Sequence, residues 1–304
     1  MTRALVADIV DTSCVDGPGN RYVVFLQGCT FNCLACHNPH TIDRRPSAGT
    51  KWMDVADLHA DIASKASFLS GVTVSGGEPT LQWEAVHELF DRLAADPTTA
   101  RLTRLVDSNG DADSQVWDVL ATSMHGAMID LKAFDPDVHQ LLTGRSNTRA
   151  LAAIRQLAAL DRLTEVRLLI VPGVNDASEQ LAATARLLGG LDPTPQTIVQ
   201  GFRHEGTRSV ARRFREATST DLTNVVVALV GHGLTADHVR RTSPTDVSQV
   251  DVLGDVRPLC QPTLRRGTGT RRKKVAHENR RTHAHTGGDV PLIDDSRGSC
   301  ATDA

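Results

Sequence analysis

The 304-residue sequence has no uncharged apolar run that approaches the roughly 20 residues of a membrane span. Its first residues carry Asp8 and Asp11 and contain no long apolar stretch, which predicts no secretory signal. Excess charge of either sign is also missing. Thirty-three Lys and Arg stand against 36 Asp and Glu, a net charge of −3, so no global basic field points to nucleic acid. No internal repeat stands out. Cysteine is sparse, at six residues, and a disulfide-dense secreted module is excluded. These absences predict a soluble, cytoplasmic protein with no membrane and no nucleic-acid partner.

Residues 21–257 alternate short apolar runs with amphipathic helical patterns, the signature of βα units around a parallel sheet. Strands are predicted at 22–26, 72–75, 102–107, 127–131, 166–171 and 197–202, continuous apolar runs of the kind covered on both faces. Helices are predicted from Val55, Leu58 and Ile62 after an Asp54 cap, and from Val86, Leu89, Phe90 and Leu93. Leu151, Ile154 and Leu157 follow Asn147, another expected cap, and the helix through Leu181 and Leu188 stops at Gly189-Gly190. Six such units are too few for a closed eight-stranded barrel; an α/β partial barrel and an open doubly wound sheet both fit. Residues 258–304 hold nine Lys/Arg against five Asp/Glu, a net +4, which leaves −7 on residues 1–257. With almost nothing apolar to bury between 265 and 288, this end reads as a basic, disordered and solvated tail.

The cysteines that are present are bunched. Cys29, Cys33 and Cys36 fall in the segment Gln27–Pro39 directly after the first predicted buried strand, spaced C-x3-C-x2-C. One loop can thereby bring three thiolates around a compact centre, and thiolates suit iron–sulfur clusters and zinc. A structural zinc site wants four ligands, and His37 is too close to Cys36 along the chain to serve readily as the fourth. Three thiolates without a fourth suggest a cluster with one iron left for another ligand. Cys14, Cys260 and Cys300 stand apart and are expected to be structural or unpaired. A second strand ends in Ser75-Gly76-Gly77-Glu78-Pro79, where two glycines allow close backbone approach to a ligand.

The cysteine triplet followed by this turn resembles the radical S-adenosylmethionine (SAM) superfamily. The segment Ser13–Arg21 (SCVDGPGNR), with FLQGC and CHNPHT, is similar to glycyl-radical enzyme activases, the pyruvate formate-lyase activating enzyme group. LVDSNG (105–110), GAMIDLKA (126–133), HQLLTGR (139–145) and RLLIVPG (167–173) look most like the YjjW-type activases. The resemblance spans about residues 5–240. It implies a partial (β/α)6 barrel of the radical SAM type over 1–257. It also implies one [4Fe–4S] cluster on Cys29, Cys33 and Cys36, whose open iron is chelated by SAM. Matching motif positions would bind SAM: Ala35, His37, Gly76, Gly77, Glu78, Asp107, Ser108, Asn109, Asp130 and Lys132. A late family histidine falls on Arg203, with His204 one place along as its substitute. The activity implied is reductive cleavage of SAM, the resulting 5′-deoxyadenosyl radical making a glycyl radical on a partner enzyme. No further side chain need act as acid or base.

Two departures qualify the match. Ala35 stands where the group often has an aromatic residue, and the 39 residues between Cys36 and Gly76 contain no cysteine, so a ferredoxin-like insert is absent. Electrons would then come from a separate flavodoxin- or ferredoxin-like donor. The rival readings are a radical SAM enzyme acting on a small molecule and a non-catalytic iron–sulfur electron-transfer or sensor protein. The second leaves SGGEP, DSNG and DLK unexplained.

Overall fold

Short β-branched runs flanked by amphipathic helices satisfy their backbone only by pairing side by side, with helices covering the faces. The computed structural model describes residues 2–242 and the backbone of 250–252 and 255–256. The expected tail, with Cys260 and Cys300, lies outside the described residues. In chain order the strands are β1 (Arg3–Ser13), β2 (Arg21–Leu26), β3 (Lys51–Asp54), β4 (Gly71–Gly76), β5 (Thr103–Ser108) and β6 (Gly126–Asp130). They continue with β7 (Leu163–Ile170), β8 (Gln196–Gly201), β9 (Val239–Thr242), β10 (Val250–Val252) and β11 (Asp255–Val256). The helices are α1 (Val55–Lys65), α2 (Trp83–Ala95), α3 (Ser114–Ser123), α4 (Pro136–Thr143), α5 (Thr148–Ala159), α6 (Ser178–Gly189) and α7 (Ser219–Gly231).

All strands join one sheet in the order β11-β10-β9-β8-β7-β6-β5-β4-β2-β1-β3. From β2 through β4 to β9 every neighbouring pair is parallel. β1 runs antiparallel to β2, β3 to β1, β10 to β9 and β11 to β10. Among the described residues nothing pairs β3 with β11, so the sheet stays open. The fold is an α/β partial barrel, with the six predicted strands in their places and β9 added as a seventh parallel strand.

The main core lies between the sheet and the helices. Val55, Leu58 and Ile62 of α1, Leu89, Phe90 and Leu93 of α2 and Ile154 and Leu157 of α5 pack there against Val24, Val72, Val106 and Ile129. Two expected caps behave differently. Asp54 and Asn147 occupy the N-cap positions of α1 and α5, but neither side chain makes the capping bond. Asn147 Nδ2 instead donates to Phe134 O at 2.6 Å, and Asp54 meets Arg3 at 3.7 Å. Tertiary partners outcompete the helix ends for these side chains. A second, smaller apolar cluster of Ala35, Leu142, Val171, Phe202, Ala211 and Phe214 sits against the cysteine loop.

Candidate active site

The C-terminal ends of β2, β4, β5, β6, β7 and β8 all open on one side, where an α/β sheet places its ligands. A cavity of about 520 Å³ occupies that end and continues inward between the strands. Cys29, Cys33 and Cys36 line it, opposite Gly76, Gly77, Asp107, Ser108, Asn109, Asp130 and Lys132.

The cysteine loop is stitched to its surroundings by its backbone. Asn32 N donates to Thr143 O at 2.9 Å and Leu34 N to Leu142 O at 2.8 Å, so the end of α4 serves as a shelf. Phe31 is buried edge-on to His139, with ring centroids 5.4 Å apart. The glycine turn closes on the same loop. Gly77 N donates to Leu26 O at 2.9 Å and Glu78 N to Gly28 O at 2.8 Å. A Cβ at Gly76, whose φ is +122°, would come within 2.2 Å of Leu26 N, and one at Gly77 within 2.2 Å of Gly28 O. Only glycine permits this approach.

Glu78 explains how the turn is held. It is fully buried, and Oε1 accepts from Thr80 N at 3.0 Å, Thr80 Oγ1 at 2.6 Å and Ser108 Oγ at 2.7 Å. Its Oε2 accepts from Asn109 N at 2.8 Å. Burial pushes this carboxyl above its usual range, while the four donors pull the other way. Asn109, fixed through its amide, donates from Nδ2 to Thr30 Oγ1 at 3.1 Å and towards Cys29 Sγ at 3.6 Å. One carboxylate thus ties the turn after β4 to the turn after β5 and, through Asn109, to the first cysteine.

The electrostatics of the cavity are paired. Lys132 Nζ lies 2.6 Å from Asp130. Burial works against the ammonium, but Asp130 and the nearby thiols outweigh it and hold the pKa above the ordinary lysine value. Arg167 reaches Asp107 at 3.3 Å and Glu165 at 3.3 Å. Burial, with help from Asp130 and Asp16, lifts Asp107 to about 6 against the pull of Arg167 and Ser75. Burial likewise pushes the Cys29 thiol up to about 12 and Cys33 to about 11. Thiolates in this position therefore need a strong cationic ligand, and an iron–sulfur core meets that need.

Residues 23–188 match the Radical SAM superfamily. The chain belongs to the radical SAM superfamily. Within it, the chain is 31% identical over 198 residues to a pyruvate formate-lyase-activating enzyme of Staphylococcus epidermidis, covering 63% of this chain and 78% of that one. It is 35% identical over 173 residues to the enzyme of the same name from Streptococcus mutans, covering 55% and 65%. This radical SAM chain is accordingly an activating enzyme by family. Its fold is also that of a radical SAM methyltransferase from Sphaerobacter thermophilus, with a TM-score of 0.58 at 18% identity over 75% of this chain and 67% of the other. The family implies a [4Fe–4S] cluster and SAM, and the three cavity-facing thiols beside a glycine turn fit both.

Of the residues expected at the radical SAM site, Ala35 and His37 also line the cavity, and two others do not. Glu78 lies beneath the wall with both oxygens engaged by donors of the protein, which hold the turn. His204 is turned away, its Nε2 at 2.9 Å from Phe214 O and Nδ1 at 3.5 Å from Glu216. Arg203 lines the cavity in its place, and His37 Nε2 meets Arg203 O at 3.2 Å. Side chains alternate at a strand end, and a slip of one residue decides which faces inward. Sequence reasoning missed Glu165 and Arg167. The signal was present, since two charges in a strand buried on both faces must be aimed at something. Cys14 lines the far part of the cavity and is disulfide-bonded.

Proposed function

We propose that this radical SAM enzyme makes a glycyl radical on a partner enzyme. The names and overlap of its relatives at 31–35% identity carry the reading. The cavity supports it, because it reaches from the cysteine loop to Cys14, Val15, Asp16 and Gly17, part of the segment that resembles the activases. Cys29, Cys33 and Cys36 would hold a single cluster, with SAM completing it. A cluster with SAM supplies, when bound, one-electron cleavage of the sulfonium to methionine and a 5′-deoxyadenosyl radical, which takes a hydrogen atom from the target glycine Cα.

The chain's own residues bind and orient. The Gly76-Gly77 turn offers backbone to the methionine amino group, Lys132 a cation to its carboxylate, and Asp107, Ser108 and Asp130 polar contacts around it. The apolar wall of Ala35, Leu142, Leu169, Val171 and Ile198 limits water around the reacting centre. The electron comes from a separate flavodoxin- or ferredoxin-like carrier, and the compartment is the cytoplasm.

The test is anaerobic. The reconstituted chain is mixed with SAM, a reductant and candidate glycyl-radical enzymes, and electron paramagnetic resonance spectra are recorded. A glycine-centred doublet is expected, with 5′-deoxyadenosine in comparable amount, and deuterium on the target glycine should move into that product. SAM cleavage with no doublet and no label transfer on any partner would refute the proposal and favour a small-molecule substrate.

A further inference from the structure

We propose that Arg44, Arg145 and Arg208 form a docking surface over the outer side of the cysteine loop for an acidic one-electron carrier protein. The proposal rests on the reading of Cys29, Cys33 and Cys36 as cluster ligands. Arg44 Nε donates to Cys29 O at 3.4 Å and Arg145 Nε to Thr30 O at 3.2 Å. Arg208 donates to Asn32 Oδ1 at 2.7 Å, Asn32 O at 3.2 Å and Cys33 O at 2.6 Å. Three guanidiniums from distant parts of the chain thus converge on residues 29–33.

Arg208 spends both terminal nitrogens on the loop and its Nε is buried, so it anchors the loop while the other two face outward. Arg44 and Arg145 are exposed and use only Nε on the loop, which leaves both terminal nitrogens of each fork for a carboxylate. Among the described residues no carboxylate lies within 4.0 Å of any of the three, and two of the nearby acids pair with other cations. Asp43 meets Arg45 at 3.6 Å and Glu216 meets His204 at 3.5 Å. Glu205 is an exposed acid in the segment before Arg208, and exposed Arg212 and Arg213 follow it. Arg44, Arg45, Arg145 and Arg208 stand beside the loop against the acids Asp43 and Glu205, a local positive excess within residues 1–257, which carry −7 overall.

The location selects the occupant. The inner side of the loop faces the cavity, and a protein cannot enter about 520 Å³. The outer side, where Asn32 is exposed, is the short route for an electron from a protein donor. A basic patch there steers an acidic carrier and fixes its orientation.

The experiment uses the full chain, anaerobically reconstituted, with a purified acidic flavodoxin as donor. Binding is measured by flavin fluorescence from about 0.02 to 0.3 M salt, the range over which screening of surface charge changes most. The wild type should bind with steep salt dependence. The Arg44→Gln/Arg145→Gln double variant should bind about tenfold or more weakly at low salt, with a flatter slope. Its cluster should be reduced correspondingly slowly by flavodoxin hydroquinone, yet at the wild-type rate by dithionite, with unchanged iron content and SAM affinity. Arg44→Lys/Arg145→Lys keeps the charge without the Nε bond and should restore binding. Unchanged flavodoxin binding in the Gln variant would overturn the proposal. So would normal flavodoxin reduction with lost affinity for the glycyl-radical enzyme, which would assign the face to that partner. Failure of the dithionite-reduced wild type to cleave SAM would instead count against the radical SAM chemistry itself.

Discussion

A glutamate in a glycine turn reads in sequence as a ligand contact, yet Glu78 spends both oxygens on four donors inside the protein. Replacing it by Gln leaves the backbone amide of Asn109 facing an amide nitrogen, and a buried donor without an acceptor costs about 1–3 kcal/mol. Glu78→Gln is expected to lower the melting temperature and loosen SAM binding together, checked by calorimetry on the reconstituted protein; unchanged stability would mean the carboxylate is dispensable. Lys132 should differ. With Asp130 at 2.6 Å and the cavity before it, Lys132→Ala is expected to raise the Kd for SAM about tenfold or more while iron content stays intact. Loss of iron would show instead that the ammonium supports the thiols. The single variants Cys29→Ala, Cys33→Ala and Cys36→Ala should each lose iron and the thiolate-to-iron absorbance, because the three thiols line one cavity. At this scale the sequence disclosed residue types and left their aims hidden. The triplet and the glycines were legible because their spacing is local. The Asp107–Arg167 pair was not, because it forms only once β5, β6 and β7 lie side by side in register.

The elements best foreseen were those with strong local periodicity, β2 and β4 through β8, whose apolar runs are covered on both faces. β1 escaped because it pairs near the margin of the sheet and its apolar run stops at Ala7, the polar residues from Asp8 onward leaving its second half partly exposed. β9 is four residues long, two of them arginine, and takes its place only through pairing with β8. Arg21 shows what binds the strands at their opposite ends. Fully buried, it donates to Thr73 Oγ1 at 2.6 Å, Val72 O at 2.6 Å, Thr103 Oγ1 at 2.8 Å and Pro18 O at 3.1 Å, joining β2, β4 and β5. Burial lowers its pKa to about 10, so it stays charged at neutral pH. Arg21→Ala should cost about 3 kcal/mol or more, and Arg21→Lys should not rescue it, because an ammonium lacks the planar fork. Urea unfolding measures both, and full rescue by Lys would reduce the role to charge alone. α7 offers a test of opposite pH sense. Thr218 and Asp221 form a capping box, and Arg215 joins Asp221 at 2.7 Å. Arg215 and Thr218 hold the Asp221 carboxyl well below its ordinary 3.8. A depressed pKa stabilises the fold above the unfolded value and loses that effect as pH falls through the folded one. Asp221→Asn should therefore cost about 1 kcal/mol at neutral pH, with the gap closing only in strong acid. A gap independent of pH would assign the effect to shape alone.

For the whole molecule, the open sheet and the cavity at its strand ends tie cofactor occupancy to global stability. The cysteine loop leans on α4, the glycine turn leans on the loop, and Glu78 joins both to β5, so a ligand contacting all three walls binds only the assembled fold. Such a ligand stabilises by mass action, about 2.7 kcal/mol at one hundred times its Kd. For a domain of this size that shift is about 5–10 °C in melting temperature. SAM added to the reconstituted chain should produce it. Without iron the shift should shrink, because the methionine end of SAM loses the metal that completes its site and keeps only Gly77, Asp130 and Lys132. Cys33→Ala should behave like the iron-free protein, while Arg44→Gln/Arg145→Gln, which touches only the outer side of the loop, should keep the full shift. The three proteins separate the possible failures. An equal shift with and without iron would place SAM away from the thiols, and a shift missing in all of them would remove SAM from this cavity. A shift lost only in the arginine variant would mean that the outer face holds the loop in its binding conformation, and the docking test would then have to be read through the lysine variant.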